Sequence, residues 1–271
     1  MLGKMLRQNE AFNEARGQET RPQGRHDEVR REMRCEVWRE VRTQELVDRA
    51  AENLDFRAGG AEGAVTRRLL ETYVGLAQRG AHLFGDLLGD AMPTQWSHYP
   101  EDDAIDTASG FQWFYHSHAP DERAQQSEHG HIHLFARRAL WSRKLGSARE
   151  RAFSALTRDS PAFHNTRHLL AVGFDAKGVP TSMFTVNSWV TGDRMLSAGL
   201  TAELLDGLKL CTGYPHVDGV LESLVALYRP EIRGLLAQRD ERLSSWDSAN
   251  ILFDENLEVV SEIRIDVDAK L

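Results

Sequence analysis

The chain has 271 residues, 41% of them hydrophobic and 27% charged, a balance that supports a buried core in one large or two small domains and excludes disorder throughout. The formal net charge is −8 and no lysine- or arginine-rich block stands free of neighbouring acids, which excludes the usual electrostatic footprint of a nucleic-acid binder. Two cysteines, Cys35 and Cys211, fit neither a disulfide framework nor a thiolate zinc site, and no apolar run is long enough for a signal peptide or a membrane span, so the cytoplasm is the expected compartment.

Residues 1–26 are polar and interrupted by Gly17, Pro22 and Gly24, a pattern that predicts a mobile tail. Residues 27–92 predict a helical region: Met33, Val37 and Val41, then Leu46, Val47, Ala50 and Leu54, recur at helical intervals among acids and arginines. After Gly59-Gly60 a second apolar stripe runs from Leu69 and Tyr73 through Ala77 and Phe84 to Leu88, with Gly85, Gly89 and Pro93 marking its end. Residues 93–271 are expected to form an α+β domain, one globular unit with those helices, entered through a surface loop over 96–110 that is dense in turn formers and carboxylates.

FQWFYHSH over 111–118 and HGHIHLFAR over 129–137 have the aromatic and alternating character of strands, with a polar loop between them. Ser147 followed by Glu150 is a capping-box signature for a short helix near 147–157, backed by Ala152, Phe153 and Leu156. Two apolar extended runs flank Asp175-Ala176-Lys177-Gly178 and predict a hairpin. Thr201 and Asp218 are candidate helix caps, Pro230 suits the first turn of a third helix, and ILFDENLEVVSEIRIDV reads as a second hairpin. The expected fold is therefore an antiparallel sheet, able to curl into a partial barrel, with a histidine-rich face and helices before and after it.

Five of the eleven histidines, His116, His118, His129, His131 and His133, fall within one short stretch. Alternation puts His116 and His118 on one strand face and His129, His131 and His133 on one face of the next. If those strands pair antiparallel, the two imidazole rows face each other at the roughly 5 Å cross-strand spacing that a shared metal ion requires. Four residues of strand span roughly 13 Å, so His131 with His133 is the preferred pair of that triplet. Imidazoles without thiolates suit zinc, iron, copper or nickel, and spacing does not choose among them. Glu128, or an acid among Glu101, Asp102, Asp103 and Asp106, is available to complete the shell, and His168 is placed to join from a third strand. His164 reads as a loop residue, His26, His82 and His216 as structural, and His98, beside Tyr99-Pro100 in the acidic loop, is assigned no role.

H-G-H-I-H-L-F resembles the H-φ-H-φ-H-φ-φ pattern of the histidine-triad nucleotide hydrolases and transferases, which would make His131 the nucleophile, although Gly130 stands at a hydrophobic position of that pattern. Over about 98–245 the succession H-Y-P, Y-H-S-H, E-H-G-H-I-H-L-F, H-L-L-A-V-G-F-D-A-K-G-V-P and N-S-W-V-T-G-D resembles an uncharacterised bacterial family known only as a domain of unknown function. That resemblance implies no activity. It implies that Asn187, Trp189, Thr191, Gly192 and Asp193 belong with the histidine motifs.

The expected function is that of a metal-dependent enzyme in which His116, His118, His131 and His133 hold a divalent transition metal and leave a coordination position open to water, oxygen or a small-molecule substrate. One alternative is a metal-free phosphoester or nucleotide hydrolase or transferase using His131. The other is a non-catalytic metal-binding protein with a closed site. Neither a nucleic-acid nor a membrane partner is expected.

Overall fold

The computed structural model describes residues 61–89, 93–95, 97–117, 128–158 and 165–270. The tail expected over 1–26 and the charged helix expected from Asp27 fall outside the described residues, as do His118 and His164.

The first described helix, α1 (Ala61–Gln78), stops well before the end of the stripe that suggested it. Gly80 takes φ 61° and closes the helix end, with its N–H donating to Ala77 O at 3.0 Å and the Ala81 N–H to Leu76 O at 2.9 Å. A glycine that terminates a helix carries no hydrophobic signal, so the apolar period runs on past the true end. The remainder of the stripe is a loop and the short helix α2 (Gly85–Leu88).

Among the described residues six strands follow: β1 (Tyr99–Ile105), β2 (Phe111–Ser117), β3 (Gly130–Arg137), β4 (Thr166–Phe174), β5 (Pro180–Val186) and β6 (Val259–Arg264). They form one open antiparallel sheet in sequence order, with β1 and β6 as its edges. The expected α+β class holds. The strands expected over 111–118 and 129–137 are direct neighbours, and β4 and β5 form the hairpin expected at Gly178, whose φ is 76°. Asp175 Oδ1 fixes that turn by accepting from the Lys177 and Val179 N–H groups at 2.8 and 2.9 Å.

Two expectations fail at the sheet edges. Residues 99–105, expected within a loop, form β1, whose Glu101 and Asp102 point to solvent while Ala104 points inward. Acids and a bulge at positive-φ Asp103 are how an exposed edge strand is kept from pairing further, and such a strand has little apolar alternation to read. The expected C-terminal hairpin is a single strand. Its first half, Ile251–Phe253, is a 3-10 turn that buries Ile251 and Leu252, and only β6 enters the sheet, against β5.

The remaining helices are α3 (Arg138–Trp141), α4 (Ala148–Thr157), α5 (Ser188–Thr191), α6 (Ala198–Asp206), α7 (Pro215–Leu227) and α8 (Arg229–Ser245). Ser147 caps α4 as expected, accepting from the Glu150 N–H at 3.3 Å, and Pro230 lies in the first turn of α8. Thr201 and Asp218 are not caps. Each sits inside its helix, α6 being capped by Ser197 and α7 opened by Pro215. Their short polar side chains bond inward instead: Thr201 Oγ1 donates to Leu196 O, and Asp218 accepts from Trp113 Nε1 at 2.9 Å.

One sheet face carries the main core. Trp113, Tyr115, Ile132, Leu134, Val172 and Met183 pack there against leucines of α1, α6, α7 and α8. Each large apolar side chain buried there stabilises the fold by roughly 1.5–3 kcal/mol. With the core on that face, alternation commits the other side chains of β2 and β3 to the opposite face.

Candidate metal centre

That opposite face carries the histidines. His116 of β2 is the register partner of His131 of β3, and Phe114 is the partner of His133. A directly opposed pair plus its i+2 neighbour thus forms a triangle of imidazoles, all three buried. The Nε2 atoms of His116 and His131 lie 2.5 Å apart, and those of His131 and His133 lie 2.9 Å apart. One ligand atom from each residue falls within 4.8 Å of the other two. Phe114 and Phe184 wall the group, with Phe184 edge-on to His131 at 5.0 Å between ring centres.

His168 reaches the same face by way of an irregularity. Along β4 simple alternation from Ala171 would direct Arg167 and Leu169 to the histidine face. Pairing shifts between Leu134↔Leu170 and Phe135↔His168, leaving Leu169 as an extra, bulged residue. His168 therefore shares the face of His133, whose Nδ1 is 3.0 Å from His168 Nε2, while Arg167 turns to the core side and stacks over Trp141 at 4.0 Å. Burial lowers the His168 pKa to about 3, with nearby Arg239 adding to the effect, so this imidazole is neutral at physiological pH.

Glu128 is buried behind His131. Its Oε1 is 2.8 Å from His131 Nδ1, and its Oε2 accepts from Ser182 Oγ at 3.2 Å. Because Nδ1 and Nε2 lie on opposite sides of the ring, this carboxylate meets His131 on the side away from the converging Nε2 atoms. Two described acids in and just after β1 have other partners: Asp106 accepts from the N–H groups of Ala108, Ser109 and Cys211, and Asp103 accepts from Gln112 Nε2 at 2.7 Å.

His129 precedes β3, is only half-buried and is outside the three-histidine group. It lies close to His82, whose pKa is lowered mainly by burial and in smaller part by His129. Of the triplet, then, His131 and His133 come together with His116, and His129 does not.

Two residues beside the cluster have no role assigned from the sequence. His98, placed in the acidic loop, stacks on Phe114 with ring centres 3.7 Å apart and 6.5 Å from the His116 ring, its Nδ1 3.2 Å from Asp103 Oδ1. Its position depends on β1, the strand that acidic composition hid. Gly173 is the other: it is opposite His131 in register, and a Cβ there would collide with Glu128 Oε2 and Ser182 Oγ. Asn187 acts locally, capping α5 through the Ser188 N–H and donating to Ile251 O at 2.8 Å. Asp193 accepts from Thr166 Oγ1 at the start of β4.

Residues 63–265 match a protein family described as a domain of unknown function, DUF6969. The chain belongs to this family. Neither the curated proteins nor the solved structures contain a match to it. Among the described residues no helix is long and apolar enough to cross a membrane.

Proposed function

We propose that this DUF6969 chain binds one divalent transition-metal ion through the Nε2 atoms of His116, His131 and His133, and that the ion serves a reaction on a small-molecule substrate. The observation that carries this reading is the convergence of three buried ring nitrogens within 4.8 Å of one another. The Nδ1 sides of His131 and His133 already face hydrogen-bond partners, Glu128 and His168. With protons on those Nδ1 atoms, both Nε2 lone pairs point at each other across 2.9 Å, an arrangement that repels unless a cation lies between them.

The size also suits an ion. Tetrahedral metal–nitrogen bonds of about 2.0–2.1 Å set neighbouring donors about 3.4 Å apart, a small outward movement from the present spacing. Three imidazoles with no thiolate fit zinc, iron, copper or nickel, and three protein ligands leave a coordination position for substrate or water. The acidic net charge of −8 favours a small molecule over nucleic acid, and the two-cysteine composition supports a reducing, cytoplasmic compartment. A histidine-triad mechanism is less compatible with this geometry, because two imidazole nitrogens enclose the His131 Nε2 that would have to attack phosphorus.

The burial of all three histidines also favours a second reading, a closed site that holds metal without catalysis. Elemental analysis of protein purified without a histidine tag tests both against the metal-free alternative. About one equivalent of metal per chain is expected, strongly reduced in His131→Ala and largely kept in His129→Ala. Equal metal in the two variants sinks the site. Azide added to the cobalt(II)-loaded protein then separates the two metal readings: a changed visible spectrum marks an open position, an unchanged one a closed shell.

A further inference from the structure

Glu128, Ser182 and Gly173 form a second feature behind the ligands. Gly173 and Ser182 are register partners on β4 and β5, and Gly173 is also the register partner of His131 on β3. A side chain at 173 would lie on the histidine face beside His131. The missing Cβ leaves a slot there, and the Glu128 carboxylate fills it. The carboxylate is 1% exposed, and His131 is 4% exposed. Burying a carboxylate costs several kcal/mol unless it is charge-paired or hydrogen-bonded, so a chain that keeps both the acid and the hole for it gains something from the contact.

We infer that Glu128, seated in the Gly173–Ser182 slot, is a positioning residue that accepts a hydrogen bond from the His131 Nδ1–H and thereby presents Nε2 of His131 as a bare metal ligand. The inference rests on the metal reading for its purpose and on the slot for its geometry. A carboxylate at Nδ1 fixes the tautomer, holds the ring plane and raises the basicity of Nε2. It also places a buried carboxylate behind three converging imidazoles, an acceptor-rich setting that suits a divalent cation. Ser182 supports the carboxylate from the other oxygen, at 3.2 Å. Gly173 matters only for the room it leaves.

The test has a readout that does not need bound metal. Nitrogen-15 correlation spectra of the metal-free protein at neutral pH should show His131 as the Nδ1–H tautomer, and that signature should disappear in Glu128→Gln and in Gly173→Ala. Zinc competition titrations should show affinity falling roughly 10- to 100-fold in Glu128→Gln, with less effect in Ser182→Ala. Glu128→Gln keeps the size of the side chain, so its metal-free thermal midpoint should stay near that of the wild type and a folding defect is detected separately.

His131 carrying its proton on Nε2, or wild-type zinc affinity in Glu128→Gln, overturns the inference. Wild-type protein that binds no zinc yet shows the Nδ1–H tautomer and its loss in Glu128→Gln overturns the metal reading and leaves the role of Glu128 standing.

Discussion

Asp218 lies in the first turn of α7 with its carboxylate buried against Trp113. Aspartate near a helix start suggests a cap, but here the carboxylate is buried and accepts from Trp113 Nε1 at 2.9 Å, from Thr212 Oγ1 at 2.8 Å and from the Thr212 N–H at 2.8 Å. It links α7 to the core face of β2. Asp218→Ala leaves a buried indole N–H without an acceptor, so urea unfolding should show a loss of roughly 3 kcal/mol, and a loss under about 1 kcal/mol would mean water replaces the carboxylate. Asp106 offers a pH test of the same kind. Burial would raise its pKa, but hydrogen bonds from Ser109, Ala108 and Cys211 outweigh burial and hold it below the ordinary carboxylate value. With a depressed native pKa, the stabilisation is complete above the unfolded value near about 3.9 and drains away as pH falls through the native value. The stability gap between wild type and Asp106→Asn should therefore narrow between about pH 5 and about pH 2, and a gap that stays constant with pH would assign the effect to packing.

At the scale of elements, helix starts separate local from tertiary causes. Ser147 and Ser197 both cap helices, α4 and α6, but Ser197 also donates its hydroxyl to the buried Glu150 and its backbone N–H contacts the same carboxylate at 3.3 Å. Glu150 was legible as the third residue of a capping box; that it reaches α6 was not, because its partner lies 47 residues away. Ser147→Ala should cost about 1 kcal/mol, the ordinary value of a cap. Ser197→Ala should cost about twice that in the same urea titration, since it also strips a partner from a buried carboxylate, and equal costs would show Glu150 to be satisfied without it. Strand signals behave similarly. β2, β3 and the β4–β5 hairpin were legible because one or both faces are apolar, whereas β1 is a charged edge and β6 pairs with a strand far away in sequence. The bulge at Leu169 has no sequence mark at all, since leucine suits either side of a strand.

Across the whole molecule, the candidate site was legible as far as period-two alternation carries and no further. His116, His131 and His133 follow from two strands and one register, whereas Gly173 and His98 required the register of β4 and the existence of β1. The same register predicts how metal and stability are coupled. The three histidines come from β2 and β3, which have neighbours on both sides and whose opposite faces form the main core, so these strands cannot separate without opening the fold. An ion bound there should stabilise the native state as a whole: zinc at about 100 times its dissociation constant adds about 2.7 kcal/mol, a rise of several degrees in the thermal midpoint of a domain this size. His133→Ala should lose that rise, and His129→Ala should keep it. A chelator should return the wild-type midpoint to the metal-free value, and amide exchange in β2 and β3 should slow on zinc addition in step with the calorimetric gain. A midpoint that zinc leaves unmoved in the wild type, or moves equally in His133→Ala, would place any bound metal elsewhere on the chain.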